Sequence, residues 1–184
     1  MTIVYIILGI IVFLVIGIIA VYNSLVTTNI KADNAWSQID VQLQRRFDLI
    51  PNFIETVKGY MNHEKEVLEK VTALRSSFGK ATGVSEKAKL DEELSKAVNS
   101  ILVTAENYPD LKASTNFSEL SEELRNTENK IAFSRQFYND AATAYNVKLA
   151  LFPSNIIANM FRFVKRELFV TENEEARKNV KVEF

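Results

Sequence analysis

The chain has 184 residues, and its 22 Lys and Arg residues nearly balance its 23 Asp and Glu residues. This near-neutral charge removes the electrostatic basis for binding nucleic acid in general. The absence of cysteine excludes disulfides, thiolate metal sites and a cysteine nucleophile. Five glycines and three prolines are too few for the many turns of an all-β fold, so the composition favours helices.

The first predicted element is an apolar run over residues 3–22, which begins at Ile3, ends at Tyr22 and contains no charged residue. Its twenty residues cover about 30 Å as a helix, the thickness of the hydrocarbon core of a bilayer. A signal peptide would show a basic start, a shorter apolar stretch and a small-residue cleavage site, and a core helix would show a polar face. The run has neither pattern. We therefore expect residues 1–22 to form the uncleaved anchor of a single-pass cell-membrane protein.

The orientation of this anchor depends on few flanking charges. No charged side chain precedes the run, and Lys31 and Asp33 follow it. The rule that positive residues stay inside gives a small bias toward a helical domain on the cytoplasmic side of the membrane.

The residues after the anchor have the spacing of long amphipathic helices. Apolar residues recur at intervals of three and four between Trp36 and Phe78, which predicts one long helix that ends at a glycine-containing turn over residues 79–83. Ser85 is placed to cap a second helix. That helix should end near Tyr108, because Pro109 disfavours helical geometry in the residue before it.

A third helix has the most regular pattern in the chain. We expect it to start at an Asn116 cap, with Glu119 three residues later, and to end before Pro153. Its inner face alternates intervals of three and four residues through Phe117, Leu120, Leu124, Thr127, Ile131, Ser134, Tyr138, Ala141 and Tyr145. A short helix should follow from Ser154 to about Phe163.

These patterns together predict an all-α fold. A single transmembrane helix is followed by a long antiparallel bundle of three long helices plus a short C-terminal helix, which pack through coiled-coil-like seams. The bundle should cover residues 23–171, and residues 172–184 should form a polar C-terminal tail.

Pro51 interrupts the apolar stripe of the first bundle helix. A proline inside a helix removes one backbone hydrogen bond and costs about 3 kcal/mol, so we expect a bend or a break there. Asp48 lies three residues earlier and could cap a restarted helix, with Pro51 in its first turn.

The charged residues beside Pro51 allow two interpretations. Arg46 falls on or beside the apolar seam, and a buried arginine needs a carboxylate partner. In the favoured interpretation the segment is an internal kink, in which Arg46 pairs with an acid of the third helix, Glu123 or Glu128. In the other it is a hinge or a docking surface for a protein, made of Arg45, Arg46, Asp48 and Pro51.

A second candidate site mixes aromatic and basic residues near the end of the chain. Its members are Phe161, Arg162, Phe163, Lys165, Arg166 and Phe169. Such a mixture is typical of segments that lie on an anionic membrane surface, although the aromatics could instead close the end of the bundle. Adding straight helix lengths places this segment far from the bilayer, unless the chain bends sharply at Pro51.

Enzymatic function is not indicated. His63 is the sole histidine, and with no cysteine the usual nucleophile and base pairs cannot be assembled. The sequence His63-Glu64 lacks the second histidine of a zinc-protease site. We therefore predict no catalytic residue, no metal, no cofactor and no small-molecule substrate.

Several blocks of the sequence resemble the LemA family. They comprise residues 35–60, 106–109, 127–129, 131–132, Arg135, 138–139, 145–146 and the Phe152-Pro153 pair. The resemblance covers essentially the whole chain, the anchor included. It implies a single-pass protein of the bacterial cell envelope with a long helical bundle, in a family whose biochemical activity is not settled.

Two functions follow from this reading. The first is a membrane-anchored, non-enzymatic scaffold that presents a helical face to another envelope protein or to a second copy of the chain. A membrane protease or its neighbours are the candidate envelope partners. The alternative is a lipid-interacting protein that organises or remodels the membrane through self-association and its C-terminal basic-aromatic segment.

Overall fold

The structure is a computed structural model that describes residues 1–61 and 65–170. Within these residues it contains helices and no strand, which confirms the all-α fold class. The helices are α1 (Thr2–Lys58), α2 (Lys65–Phe78), α3 (Val84–Thr104), α4 (Pro109–Lys112), α5 (Thr115–Ala150) and α6 (Ser154–Met160), with a 3₁₀ turn at Ala105–Asn107. His63 and the predicted tail over residues 172–184 lie outside the described residues.

The apolar run and the first bundle helix form one continuous helix. α1 runs through Pro51 without a break and ends at Lys58. The predicted helix from Trp36 to Phe78 is therefore wrong in its end point. After Lys58 the chain turns at Gly59, and the N–H groups of Tyr60 and Met61 both donate to the carbonyl of Val57, at 3.0 and 2.9 Å.

The starts of the later helices differ from the predicted caps. α3 begins at Val84 after an extended Gly83, with no side-chain cap, so the Ser85 cap is wrong. α5 begins one residue before Asn116, and the Oγ of Ser114 accepts the N–H of Phe117 at 3.5 Å. Serine and asparagine are both good cap residues, so residue type alone does not distinguish Ser114 from Asn116 as the cap of α5.

The chain divides into two compact units, to both of which α1 and α5 contribute. Unit 1 comprises residues 1–40 and 133–168. In it α1 and α5 run antiparallel: the ring of Trp36 lies 5.5 Å from that of Tyr138, and Lys148, ten residues later, donates to the hydroxyls of Ser24 and Thr28 at 2.7 and 2.8 Å.

Among the described residues, unit 2 comprises residues 41–61, 65–132 and 169–170. Phe47 of α1 stacks on Phe78 of α2 with ring centroids 3.9 Å apart, and Phe53 stacks on Phe117 of α5 at 5.9 Å. The end of α2 therefore lies beside an earlier part of α1, so these two helices run in opposite directions. The break after Lys58 adds one helix, and one reversal of direction, to the predicted bundle.

Candidate functional site

Arg46 is the largest fully buried side chain of unit 2, with 1% of its surface exposed. Its Nη1 donates to Oδ1 of Asp91 at 2.7 Å and to Oγ of Ser95 at 2.9 Å. Its Nη2 lies 3.6 Å from Oε2 of Glu128. A buried guanidinium is tolerated only when carboxylates and hydrogen bonds replace its water, and this arrangement supplies both.

The ion pairs of this region differ in part from those expected. Glu128 lies beside Arg46 as one of the two predicted acids, whereas Glu123 pairs with Arg45 instead. The closest partner, Asp91 of α3, was not predicted. A signal existed, because Asp91 continues the alternating spacing of the buried residues Leu94, Val98, Ile101 and Ala105.

The predicted hinge around Pro51 has a different local structure. Because α1 is continuous, Asp48 caps no helix start; its Oδ1 accepts a 2.9 Å hydrogen bond from Nε2 of Gln44 one turn earlier. Arg46 is too buried to form part of a docking surface. Arg45 and Asp48 are exposed and Pro51 is partly buried, so a docking role for these three stays a prediction.

The basic-aromatic segment lies at the end of the apolar run. The ring of Tyr22 is 4.7 Å from that of Phe161 and 5.8 Å from that of Phe163, centroid to centroid. Next to these rings a small apolar core, which we call the anchor-end cluster, contains Leu25, Ile157 and Ala158 with Val21, Tyr22, Leu149 and Phe163 packed against it. The expectation that the segment lies far from the apolar run is therefore wrong.

The C-terminal end of α6 is closed by a Schellman motif. The N–H of Phe163 donates to the carbonyl of Ala158 at 2.9 Å, and the N–H of Arg162 donates to that of Asn159 at 3.2 Å. Arg162 has φ 57°, the left-handed conformation that this motif requires and that glycine usually supplies. Phe163 packs onto the anchor-end cluster, which is the apolar contact that accompanies the motif.

An extended stretch after α6 is fastened to unit 1 by hydrogen bonds. Asn146 makes two of them with the backbone of Arg166: its Nδ2 donates to the carbonyl at 2.9 Å and its Oδ1 accepts the N–H at 2.8 Å. The hydroxyl of Tyr138 donates to the carbonyl of Glu167 at 2.6 Å. The guanidinium of Arg166 reaches Oδ1 of Asn29 at 3.0 Å and Oδ1 of Asp33 at 2.7 Å.

These contacts correct the predicted membrane-surface set. Phe169 is 1% exposed and cannot contact a lipid, and the guanidinium of Arg166 is bound to Asp33 and Asn29 although its side chain is 30% exposed. Burial also raises the pKa of Tyr138 and of Tyr145 above the ordinary value for tyrosine, an effect that the nearby Arg166 partly opposes. Both phenols are therefore neutral under ordinary conditions.

Among residues 1–61 and 65–170, no group of three or more His, Asp or Glu side chains is placed to hold a metal ion. In the same part of the chain, one helix is long enough and apolar enough to cross a membrane, and this helix is α1. None of the residues in its most apolar window is buried.

These features define an all-helical protein that is compatible with a single pass through a membrane. The chain belongs to the LemA family, which it matches over residues 35–184. Protein LemA of Metamycoplasma hominis is 32% identical over 141 residues, which cover 74% of this chain and 63% of that protein.

More distant relatives include two proteins named for the magnetosome. Magnetosome protein MamQ 2 of Paramagnetospirillum magneticum is 24% identical over 174 residues, which cover 80% of this chain and 64% of that protein. Magnetosome protein MamQ of Magnetospirillum gryphiswaldense is 22% identical over the same length and the same shares. The chain thus spans a little under two thirds of the length of these relatives.

Proposed function

We propose that this protein is a membrane-anchored, non-enzymatic helical scaffold, held in the bilayer by residues 1–22 and binding a partner through an exposed face of α5. The observation that carries the proposal is an apolar stripe in unit 1, here called the α5 stripe. It consists of Phe133, Phe137 and Val147 of α5 and of Leu151, the residue that follows α5, all exposed, with Phe133 at 76% and Phe137 at 58%.

The spacing of the α5 stripe is that of a helix-binding seam. With Asp140 and Ala144 between them, its residues alternate intervals of four and three, and at 100° per residue all six positions fall within about 80° of one another. The opposite face of the same helix is already buried through Tyr138, Ala142 and Tyr145. The α5 stripe is therefore a second apolar face, which packing within unit 1 does not use.

An exposed row of large apolar side chains supports a protein-contact function. Scattered apolar residues are normal on protein surfaces, whereas large apolar side chains one turn apart, as Phe133 and Phe137 are, mark contact sites; Asp140 separates these two from Val147 and Leu151. A helix with such a row usually lies in the groove of a partner or against another helix. The partner is an envelope protein or a second copy of the chain, and a membrane protease is one candidate.

Site-specific photocrosslinking in native membranes tests this proposal. A benzophenone amino acid replaces Phe137 in the full chain, and the matched control replaces Thr143, which is exposed on the same helix but outside the stripe. We expect discrete crosslinked bands from position 137 that are absent from position 143, and mass spectrometry identifies them. Equal crosslinking from both positions, or none from 137, would contradict the α5 stripe as a contact surface.

The second candidate function is organisation of the membrane itself, through self-association and the basic-aromatic segment. It is favoured by the contact of Phe161 and Phe163 with Tyr22 at the end of the apolar run. The test is reconstitution of the full chain into liposomes at rising protein-to-lipid ratio. A membrane organiser changes vesicle size or shape as the ratio rises, whereas a scaffold leaves the vesicles unchanged.

A further inference from the structure

The segment around α6 carries apolar side chains that the fold leaves uncovered. We call Phe152, Ile156, Met160, Phe161 and Val164 the α6 patch; all five are exposed, with Phe152 at 80% and Val164 at 77%. Ile156 and Met160 lie one turn apart on α6, while the adjacent Ile157 and Ala158 are buried in the anchor-end cluster. This short helix is thus apolar both toward the protein and away from it.

The position of α6 follows from the residues it touches. Val21 and Tyr22 belong to the apolar run itself, and both pack against the cluster that contains Ile157 and Ala158. Because the run matches the hydrocarbon thickness in length, its last turn lies at the level of the lipid headgroups. Tyr22, Phe161 and Phe163 then form a group of aromatic rings at that level, where such rings are enriched.

The charges of the segment suit an anionic surface. Residues 151–166 contain three basic residues and no acidic one. Arg166 is paired with Asp33, whereas Arg162 and Lys165 are exposed and make no ion pair with the described residues. Two cations are therefore available beside the α6 patch.

The backbone at Arg162 makes its charge easy to test. Its φ of 57° is the only positive value at a non-glycine position among the described residues, and it belongs to the motif that closes α6. Glycine would adopt this conformation without steric cost, so a glycine variant removes the charge without straining the backbone.

We propose that α6 and its C-terminal turn form a second membrane contact, in which the α6 patch enters the interface and Arg162 and Lys165 bind the phosphates of anionic lipids. The patch is continuous with the apolar run, and its charge is complementary to that of an anionic leaflet. This inference rests on the anchoring of residues 1–22 proposed above and is independent of the α5 stripe.

The first experiment measures depth in the membrane. Because the chain has no cysteine, single cysteines can be spin-labelled without altering other sites. The full chain carrying Phe152→Cys or Met160→Cys is reconstituted in phosphatidylcholine vesicles with 30% phosphatidylglycerol, and label collisions with oxygen and with a water-soluble nickel complex are compared. Phe13→Cys is the lipid reference and Gln136→Cys the water reference.

The proposal expects labels at 152 and 160 to favour oxygen over nickel, as the label at 13 does. Nickel access equal to that at 136 would place α6 in water and overturn the proposal. Protection from both reagents would mean that protein covers the patch, either a second copy or another partner, and would overturn it equally. A water-like label at 13 would instead refute the anchor, which separates the two failures.

The second experiment tests the cations through Arg162→Gly and Lys165→Gln, with exposed Lys130→Gln as the matched control. Arg162→Gly removes the charge while relieving the backbone, so thermal stability should stay equal or rise. Association with spin-labelled phosphatidylglycerol should fall about five-fold for each cation removed. An unchanged lipid preference in both variants would overturn the proposal; Arg162→Gln, which keeps the side-chain bulk, decides the matter if the glycine variant is unstable.

Discussion

The guanidinium of Arg46 and the carboxylate of Asp91, 45 positions apart in the chain, are joined at 2.7 Å, and their side chains are only 1% and 7% exposed. Such a pair is weak evidence for net stability, because removing two charges from water offsets most of the attraction between them. Its clearer effect is on how α1 and α3 align. Asp91 of α3 can reach Arg46 of α1 in only one register of the two helices, and a shifted register would leave a buried charge without its partner.

Removing one partner of this pair should strongly destabilise unit 2. We expect Asp91→Ala to lower the free energy of unfolding by about 3–5 kcal/mol, because Arg46 then stays buried with only the hydrogen bond to Ser95 and the longer contact to Glu128. Denaturant unfolding of the full chain in detergent, followed by circular dichroism, measures the change. Arg45→Ala, which breaks the more exposed pair with Glu123, serves as the control and should cost about 1 kcal/mol or less. Equal losses in the two variants would contradict the special role of Asp91.

The sequence identified half of this buried pair. The spacing of apolar residues predicts that Arg46 lies on or beside the apolar seam, and the structure buries Arg46 there. Asp91 was missed because it stands next to two other acids, Glu92 and Glu93, in a stretch that looks like a solvated face. The spacing of the buried residues by itself points to position 91 as a core position. A search for apolar residues at that spacing does not find Asp91, because its side chain is acidic.

The location of α6 could not be obtained by adding helix lengths. If residues 36–78 formed one helix, the third predicted helix would run away from the apolar run, whereas α5 runs back toward it. The turn at Gly59 has few sequence markers, because apolar residues continue on both sides of it. The turn after Lys58 changes the chain direction once more than predicted, so every later helix runs opposite to its predicted direction. As a consequence, α5 ends beside the apolar run.

The two hydrogen bonds between Asn146 and Arg166 predict a local effect of substitution. Asn146→Ala should speed hydrogen exchange of the Arg166 amide about tenfold or more, since each lost bond is worth about 1 kcal/mol. Asn146→Asp keeps the acceptor and loses the donor, so its effect should be intermediate. Exchange monitored by mass spectrometry gives the rates, with exposed Gln136→Ala as the control. If the Arg166 amide exchanged at the same rate in all variants, the extended stretch would not be held by Asn146.

The buried tyrosines predict a loss of stability at high pH. Burial raises the pKa of Tyr138 and Tyr145 in the folded protein, so the unfolded chain releases their protons first. The stabilisation is complete below about pH 10, the pKa of an unfolded tyrosine, and is lost as the pH rises through the folded pKa. Unfolding free energies at pH 8, 10 and 11 should therefore decline.

The control for this prediction is the double variant Tyr138→Phe with Tyr145→Phe. Its stability should depend less on pH in the same range, because the contribution of these two tyrosines is removed. At pH 8 it should be less stable by about 1 kcal/mol, for the hydrogen bond from Tyr138 to the carbonyl of Glu167. A decline as steep as that of the wild-type chain would show that other groups cause it.

Pro51 lies inside α1, where it cannot donate a hydrogen bond to the carbonyl of Phe47 one turn earlier. Restoring the helix interior gains about 3 kcal/mol, and the greater freedom of the unfolded chain takes back about 0.4–1 kcal/mol. The partly buried ring also loses some packing, so we expect Pro51→Ala to raise the free energy of unfolding by about 1–2 kcal/mol in total.

Denaturant unfolding measures this gain, with the exposed neighbour Asn52→Ala as the control, which should stay within about 0.5 kcal/mol of the wild-type chain. Pro51 lies beside Ile50, Ile54 and Thr72 along one cleft of unit 2, so its ring has neighbours to lose. If Pro51→Ala lowered stability, packing of the ring in that cleft would outweigh the missing hydrogen bond. The proline would then be a core residue of unit 2 rather than a tolerated interruption of α1.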